Sequence, residues 1–100
     1  MGILENIIFL ELKRREYEVF IGKWGNREID FVGEKKGGRI YIQVAYKLES
    51  SATVEREFNP LISIEDHYPK YVVTMDEFFK DNIKGVQHVH VTESLLANNW

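Results

Sequence analysis

One hundred residues, 44% of them hydrophobic and 13% aromatic, suit a single domain with one core, which at this size buries roughly 60–70% of its extended-chain surface. The absence of cysteine excludes disulfides and thiolate metal sites and fits a reducing, cytoplasmic location. A formal net charge of −3 excludes a global attraction to nucleic acid, so any such contact needs a local basic patch. The apolar run over residues 7–12 is too short for a signal peptide and is interrupted by Glu11, and nothing reaches membrane-spanning length.

Residues 3–15 read as a helix. Ile3, Ile7 and Leu10 recur at helical spacing with Leu4 and Ile8 beside them, and the run Lys13-Arg14-Arg15-Glu16 closes it with charge that suits the helix dipole. Glu5 stands out as a carboxylate on an apolar helix, although acidic residues are favoured in a first turn. Residues 17–24 have strand composition, and Gly25-Asn26 predicts a tight hairpin turn.

The stretch from Arg27 to Tyr46 predicts two strands joined at Lys36-Gly37-Gly38. Strict alternation puts Glu28, Asp30 and Val32 on one face, with Ile29 and Phe31 on the other. In the second strand Arg39, Tyr41, Gln43 and Ala45 share a face opposite Ile40, Ile42 and Val44. Asp30 is then a carboxylate in the middle of an apolar strand. Burying it bare costs several kcal/mol, so it must be paired, hydrated or metal-bound. An ion pair or turn contact accounts for it as well as a functional site does.

Ser50, Ser51 and Thr53 offer N-caps for a second helix, with Glu55 and Glu57 favouring its first turns. Val54, Phe58, Leu61 and Ile62 keep helical spacing through Pro60, where a kink or a break into two short helices is expected. A strand over 68–74 begins at a proline, where proline is tolerated. A helical turn over 76–80, a loop over 81–85, a last strand over 86–91 and a short helix capped by Thr92 and ending near Asn98 complete the reading. His88 and His90 share a face of that strand. Two imidazoles at this spacing can bind a metal, but no third ligand is apparent nearby and solvation or pairing is their ordinary fate. His67, beside Asp66, gives no stronger signal.

The order αβββαββα resembles the restriction-endonuclease-like fold of the PD-(D/E)XK superfamily: an α/β (α+β) domain whose central mixed sheet has helices on both faces. Leu4-Glu5-Asn6, Glu28-Ile29-Asp30-Phe31 and Tyr41-Ile42-Gln43-Val44-Ala45-Tyr46 are similar to one group, the C-terminal domain carried by many archaeal and bacterial AAA-type ATPases. Arg56-Glu-Phe-Asn-Pro-Leu61 and Asp66-His-Tyr-Pro-Lys-Tyr71 extend the resemblance over nearly the whole chain. It implies one domain over residues 1–100 that forms the C-terminal part of a larger ATPase, an excised or truncated piece given the Met1-Gly2 start. No Gly-rich phosphate loop of the Walker kind is present, so any ATPase activity belongs to an N-terminal part outside this sequence.

The same resemblance implies a magnesium site in which a helix carboxylate (Glu5) and a strand Asp (Asp30) are joined by a Glu-x-Lys pair on the next strand. Here that pair reads Gln43-x-Ala45: Gln43 is a neutral, weaker ligand and Ala45 supplies no charge. Lys47, on the same face if the strand continues, and Arg56, on the following helix, are the candidate replacements. The expectation is a nucleic-acid-related accessory domain of an AAA-type ATPase with a degenerate or weak metal-dependent nuclease site. The alternatives are an active magnesium-dependent nuclease with a migrated lysine, and a purely structural assembly domain. Expected partners are nucleic acid, the ATPase domain and a second copy of the chain.

Overall fold

The computed structural model describes residues 2–77, 82–97 and 100. Within them the chain forms α1 (Ile3–Arg14), β1 (Glu18–Trp24), β2 (Arg27–Lys35), β3 (Gly38–Val44), α2 (Ser51–Ile62), β4 (Lys70–Thr74), β5 (Gln87–His90) and α3 (Val91–Leu96), the element order expected. The tight turns have physical causes: Gly25 (φ +63°) and Gly37 (φ +80°) take the left-handed backbone that closes the two hairpins.

The sheet runs β1-β2-β3-β4-β5. β1, β2 and β3 pair antiparallel in a meander, and β3, β4 and β5 pair parallel. Parallel neighbours need a crossover, and α2 supplies the one between β3 and β4. One face buries Leu4, Ile8 and Leu12 of α1 with Phe31, Ile40, Ile42, Val73 and Val91. The other buries Phe58 and Leu61 of α2 with Ile29, Tyr41, Val72 and Val86. The molecule is therefore a small α+β domain, with a five-stranded mixed sheet between helices on both faces.

Five local expectations give way. Ile29 and Phe31 do not share a face, because they belong to the two different cores. The register moves from Phe20↔Val32 to Gly22↔Ile29, so β2 carries one extra residue at Asp30-Phe31. Such a β-bulge resets the alternation. The α1 stripe is rotated: Ile3 (79% exposed), Ile7 and Leu10 point outward, while Leu4, Ile8 and Leu12 are buried. Both stripes are apolar at helical spacing, so periodicity alone does not choose between them. α2 runs unbroken through Pro60. The proline lies in its last turn, where the Ser63 hydroxyl donates to the Pro60 carbonyl and the helix is about to end anyway.

The cap of α3 is the fourth. Ser50 caps α2 as expected, its hydroxyl accepting from the Thr53 N–H, but α3 is capped by His90 instead of Thr92. His90 Nδ1 accepts from the Thr92 N–H, and Glu93 reaches back to the His90 N–H. Residues 76 and 77 are not helical. The rest of the turn expected over 76–80 lies outside the described residues, as do residue 81 of the expected loop and residue 98 at the end of the final helix.

Candidate functional site

The bulge lies where β2 leaves β3. Their last ladder pair is Phe31↔Ile42; beyond it, side chains replace the missing backbone bonds. Asp30 Oδ2 accepts from the Val44 N–H at 2.8 Å, and Gln43 Oε1 accepts from the Asp30 N–H at 2.7 Å. Two residues expected to cooperate in one site thus meet at the open end of the β2/β3 ladder. Burial pushes the Asp30 carboxyl above its ordinary pKa, the Val44 N–H pulls it back, and the nearby Glu5 and Glu28 carboxylates push it up again.

Glu57, on α2, is the fourth acid of this cluster. Its side chain is only 15% exposed. Burial raises its pKa, the Asp30 carboxylate adds to that, Arg56 works against it, and Glu5 raises it further. Glu5 stands at the third position of α1 with its carboxylate folded toward the helix start: a Cβ built on Gly2 would lie 2.9 Å from each carboxylate oxygen. That placement suits a first-turn acid, yet Oε1 is buried without a hydrogen-bond donor. Carboxylates from α1, β2 and α2 therefore bear on the protonation of Asp30 and Glu57.

On the α2 side the gap opens into a cleft of about 540 Å³, whose lining includes Arg27, Glu28, Gln43, Arg56, Glu57 and Asn59. The two candidate cations differ in placement. Lys47 follows the end of β3 and its 65%-exposed side chain pairs with Glu49 at 3.7 Å, a surface contact worth little. Arg56 faces the cleft with Nε 3.4 Å from Glu57. Ala45 packs, partly buried, against the α2-side core.

Hard carboxylate and amide oxygens are the donors magnesium prefers, and the orphaned Glu5 oxygen fits a cation. Among the described residues, however, no three Asp, Glu, His or Cys side chains stand together at metal-holding distance. The set suits a hydrated ion held by one or two carboxylates, a common mode for magnesium, better than a closed cage. The histidines are engaged elsewhere: His88 Nε2 meets the Thr74 hydroxyl at 2.6 Å, His90 caps α3, and His67 lies against the Tyr68 ring.

Glu57 is the residue that sequence reasoning passed over. Its signal was available: it lies three positions after Val54 and four before the buried Leu61, the spacing that sets a side chain on the packed face of a helix.

The sequence matches no protein-family model. It is similar to an uncharacterized protein of Haemophilus influenzae strain Rd, 37% identical over 93 residues. That match takes in 93% of this chain and 22% of the relative, so the chain spans about a fifth of the length of the relative it matches. No helix among the described residues is long and apolar enough to cross a membrane.

Proposed function

We propose that this is a restriction-endonuclease-like accessory domain that works on nucleic acid as part of an AAA-type ATPase and retains a weakened magnesium site with little or no cleavage. The observation that carries the reading is the convergence at the β2/β3 gap: Asp30 and Gln43 in contact, the Glu5 carboxylate raising the Asp30 pKa, and both Asp30 and Glu5 raising that of Glu57. The element order αβββαββα, with helices on both faces of a mixed sheet, supports the fold assignment. A stretch like this one is a minor part of the longer Haemophilus protein, which suits a module of a larger machine.

Magnesium, when bound, would neutralise charge on a phosphodiester. Asp30 and Glu5 would hold it and Glu57 would add negative charge from the third side. Gln43 is a poor ligand while its oxygen accepts from the Asp30 N–H. With Ala45 in place of a lysine, no ammonium stands on β3 to stabilise charge growing on a phosphate. Losing one such preorganised group costs about 10²–10³ in rate.

The test is plasmid nicking with magnesium or manganese by wild type, Gln43→Glu, Ala45→Lys and the double variant. Tighter magnesium binding is expected from Gln43→Glu, read as a metal-dependent rise in Tm, and measurable nicking only from the double variant. Strong wild-type cleavage that disappears in Asp30→Ala would replace this reading with an active nuclease using Arg56 as its cation.

A second reading draws on the same bonds. Asp30 and Gln43 each satisfy a backbone N–H that the diverging strands leave without a ladder partner. In a structural assembly domain that would be their whole task, and magnesium would then leave Tm unchanged.

A further inference from the structure

We infer that β1 is the edge on which a second copy of this chain docks, antiparallel about a two-fold axis, so that two five-stranded sheets join into one. The inference stands independently of the nuclease reading.

Two strands of the sheet have an open side, β1 and β5, and the chain treats them differently. β5 is four residues long, and two of its N–H groups are taken by side chains. Asn82 Oδ1 accepts from the His88 N–H at 3.2 Å, and Glu93 Oε1 accepts from the His90 N–H at 3.3 Å. β1 is seven residues long, and among the described residues no side chain bonds its backbone. Its middle is apolar, with Phe20 46% and Ile21 73% exposed. Edges that must stay unpaired are kept short, bulged, covered, or interrupted by a lysine or proline. Val19 to Gly22 carries none of these devices, since the extra residue of the β1–β2 hairpin lies on β2.

The occupant follows from the sequence of β1 itself. A two-fold axis normal to the sheet sets each residue opposite one of the same face, and the fullest overlaps centre on Phe20 or on Ile21. In the first, Phe20 meets Phe20 and Val19 meets Ile21. In the second, Ile21 meets Ile21 and Phe20 covers Gly22. Either way the exposed apolar side chains bury one another. Charge agrees with this pairing. Glu18 and Lys23, near opposite ends of β1, are both exposed and have no ion pair among the described residues. An antiparallel copy brings each Glu18 one step along the ladder from Lys23 of the other copy, about 6 Å between backbones. A parallel neighbour would set Glu18 beside Glu18. A seven-residue edge is small beside a standard interface of about 800 Å² per partner, so association at micromolar concentration is expected.

The experiment is sedimentation equilibrium over a range of concentrations, with a thermal melt of each protein to confirm its fold. It compares wild type with Ile21→Lys, Gln87→Lys, Glu18→Lys and the double variant Glu18→Lys/Lys23→Glu. Wild type should approach twice the chain mass and stop there, as a closed two-fold does. Ile21→Lys should leave monomer, and Gln87→Lys on the other edge should change nothing. Glu18→Lys should weaken the dimer about fivefold, with recovery in the double variant. Because the chain has no cysteine, Phe20→Cys and Ile21→Cys report proximity directly. Whichever lies on the axis should crosslink under mild oxidation, and Gln87→Cys should not. If Ile21→Lys fails to fold, the cysteine variants decide. A wild type that stays monomeric, growth past two copies, a dimer indifferent to Ile21→Lys, or crosslinking through Gln87→Cys alone would each overturn the inference. Failure of the double variant to recover would overturn the antiparallel pairing.

Discussion

Asp30 serves the fold through the oxygen that accepts from the Val44 N–H, and its charge is opposed on balance, since burial and the neighbouring Glu5 and Glu28 carboxylates outweigh what that N–H contributes. The two roles can be separated by substitution. Asp30→Asn keeps an acceptor for Val44 and removes the charge, so stability near neutral pH should be unchanged or higher. Asp30→Ala leaves the Val44 N–H without its partner in a half-buried gap and should cost about 1–3 kcal/mol in denaturant unfolding. Equal loss in both variants would mean that the charge itself is stabilising. Sequence alone exposes this residue, because a carboxylate inside an apolar strand always needs a reason. It does not expose the partner, because a backbone N–H freed by a strand divergence leaves no mark on composition.

The β1–β2 hairpin decides which side chains reach the gap, and its bulge is the feature that alternation cannot foresee. A period of two is legible only while pairing stays regular; one extra residue at Asp30-Phe31 sends Ile29 to the α2 side and Phe31 to the α1 side. Helix order and strand order were legible because each turn carries its own chemistry, as Gly25, Gly37 and the Ser50 cap show. The buried face of α1 was not, since two apolar stripes compete and only the sheet selects one. Gly22, opposite the bulge, records the close packing that results. A Cβ there would lie 2.6 Å from Val32 Cγ2 and 2.9 Å from Ile29 Cβ. Gly22→Ala should therefore destabilise by about 1–3 kcal/mol, as overpacked cores do, whereas Gly38→Ala meets nothing within 4 Å and serves as the control. Equal midpoints in urea would show that the hairpin can shift to admit the methyl group.

At the scale of the molecule, two groups of carboxylates pull stability in opposite directions with pH. Glu11 bonds Arg14 and Arg15, and Arg15 goes on to the Ser94 and Leu95 carbonyls, tying α1 to α3. The hydrogen bond from Arg14 chiefly, against some burial and with help from Arg15, holds the Glu11 pKa down at about 2 from an ordinary 4.5. Burial works to raise Asp66, but its bonds from Lys70, Tyr41 and the Tyr68 N–H outweigh that and hold it low. A carboxyl whose folded pKa is depressed contributes stability above its unfolded pKa and loses it as pH falls through the folded value. Asp30 and Glu57 are raised in the fold, burial being the first cause for each. They therefore subtract stability as pH climbs from the unfolded to the folded value, and the loss persists at neutral pH. Glu11→Gln should lower Tm near pH 7, by an amount corresponding to about 1–2 kcal/mol for a charged hydrogen-bonded group that is mostly covered. Its curve should then merge with wild type as pH approaches 2. Glu57→Gln should do the reverse. A relief of about 0.5 kcal/mol would raise Tm by about 2–4 °C in a domain of this size near pH 7, with no gain below the ordinary carboxyl value of 4.5. Magnesium supplies the same relief without mutation if it binds the cluster, so its effect on the wild-type Tm should grow with pH over the range where Glu57→Gln gains. Two variants whose Tm curves run parallel to wild type at every pH would show that neither carboxyl changes its proton affinity on folding, and the electrostatic account of the gap would fail with them.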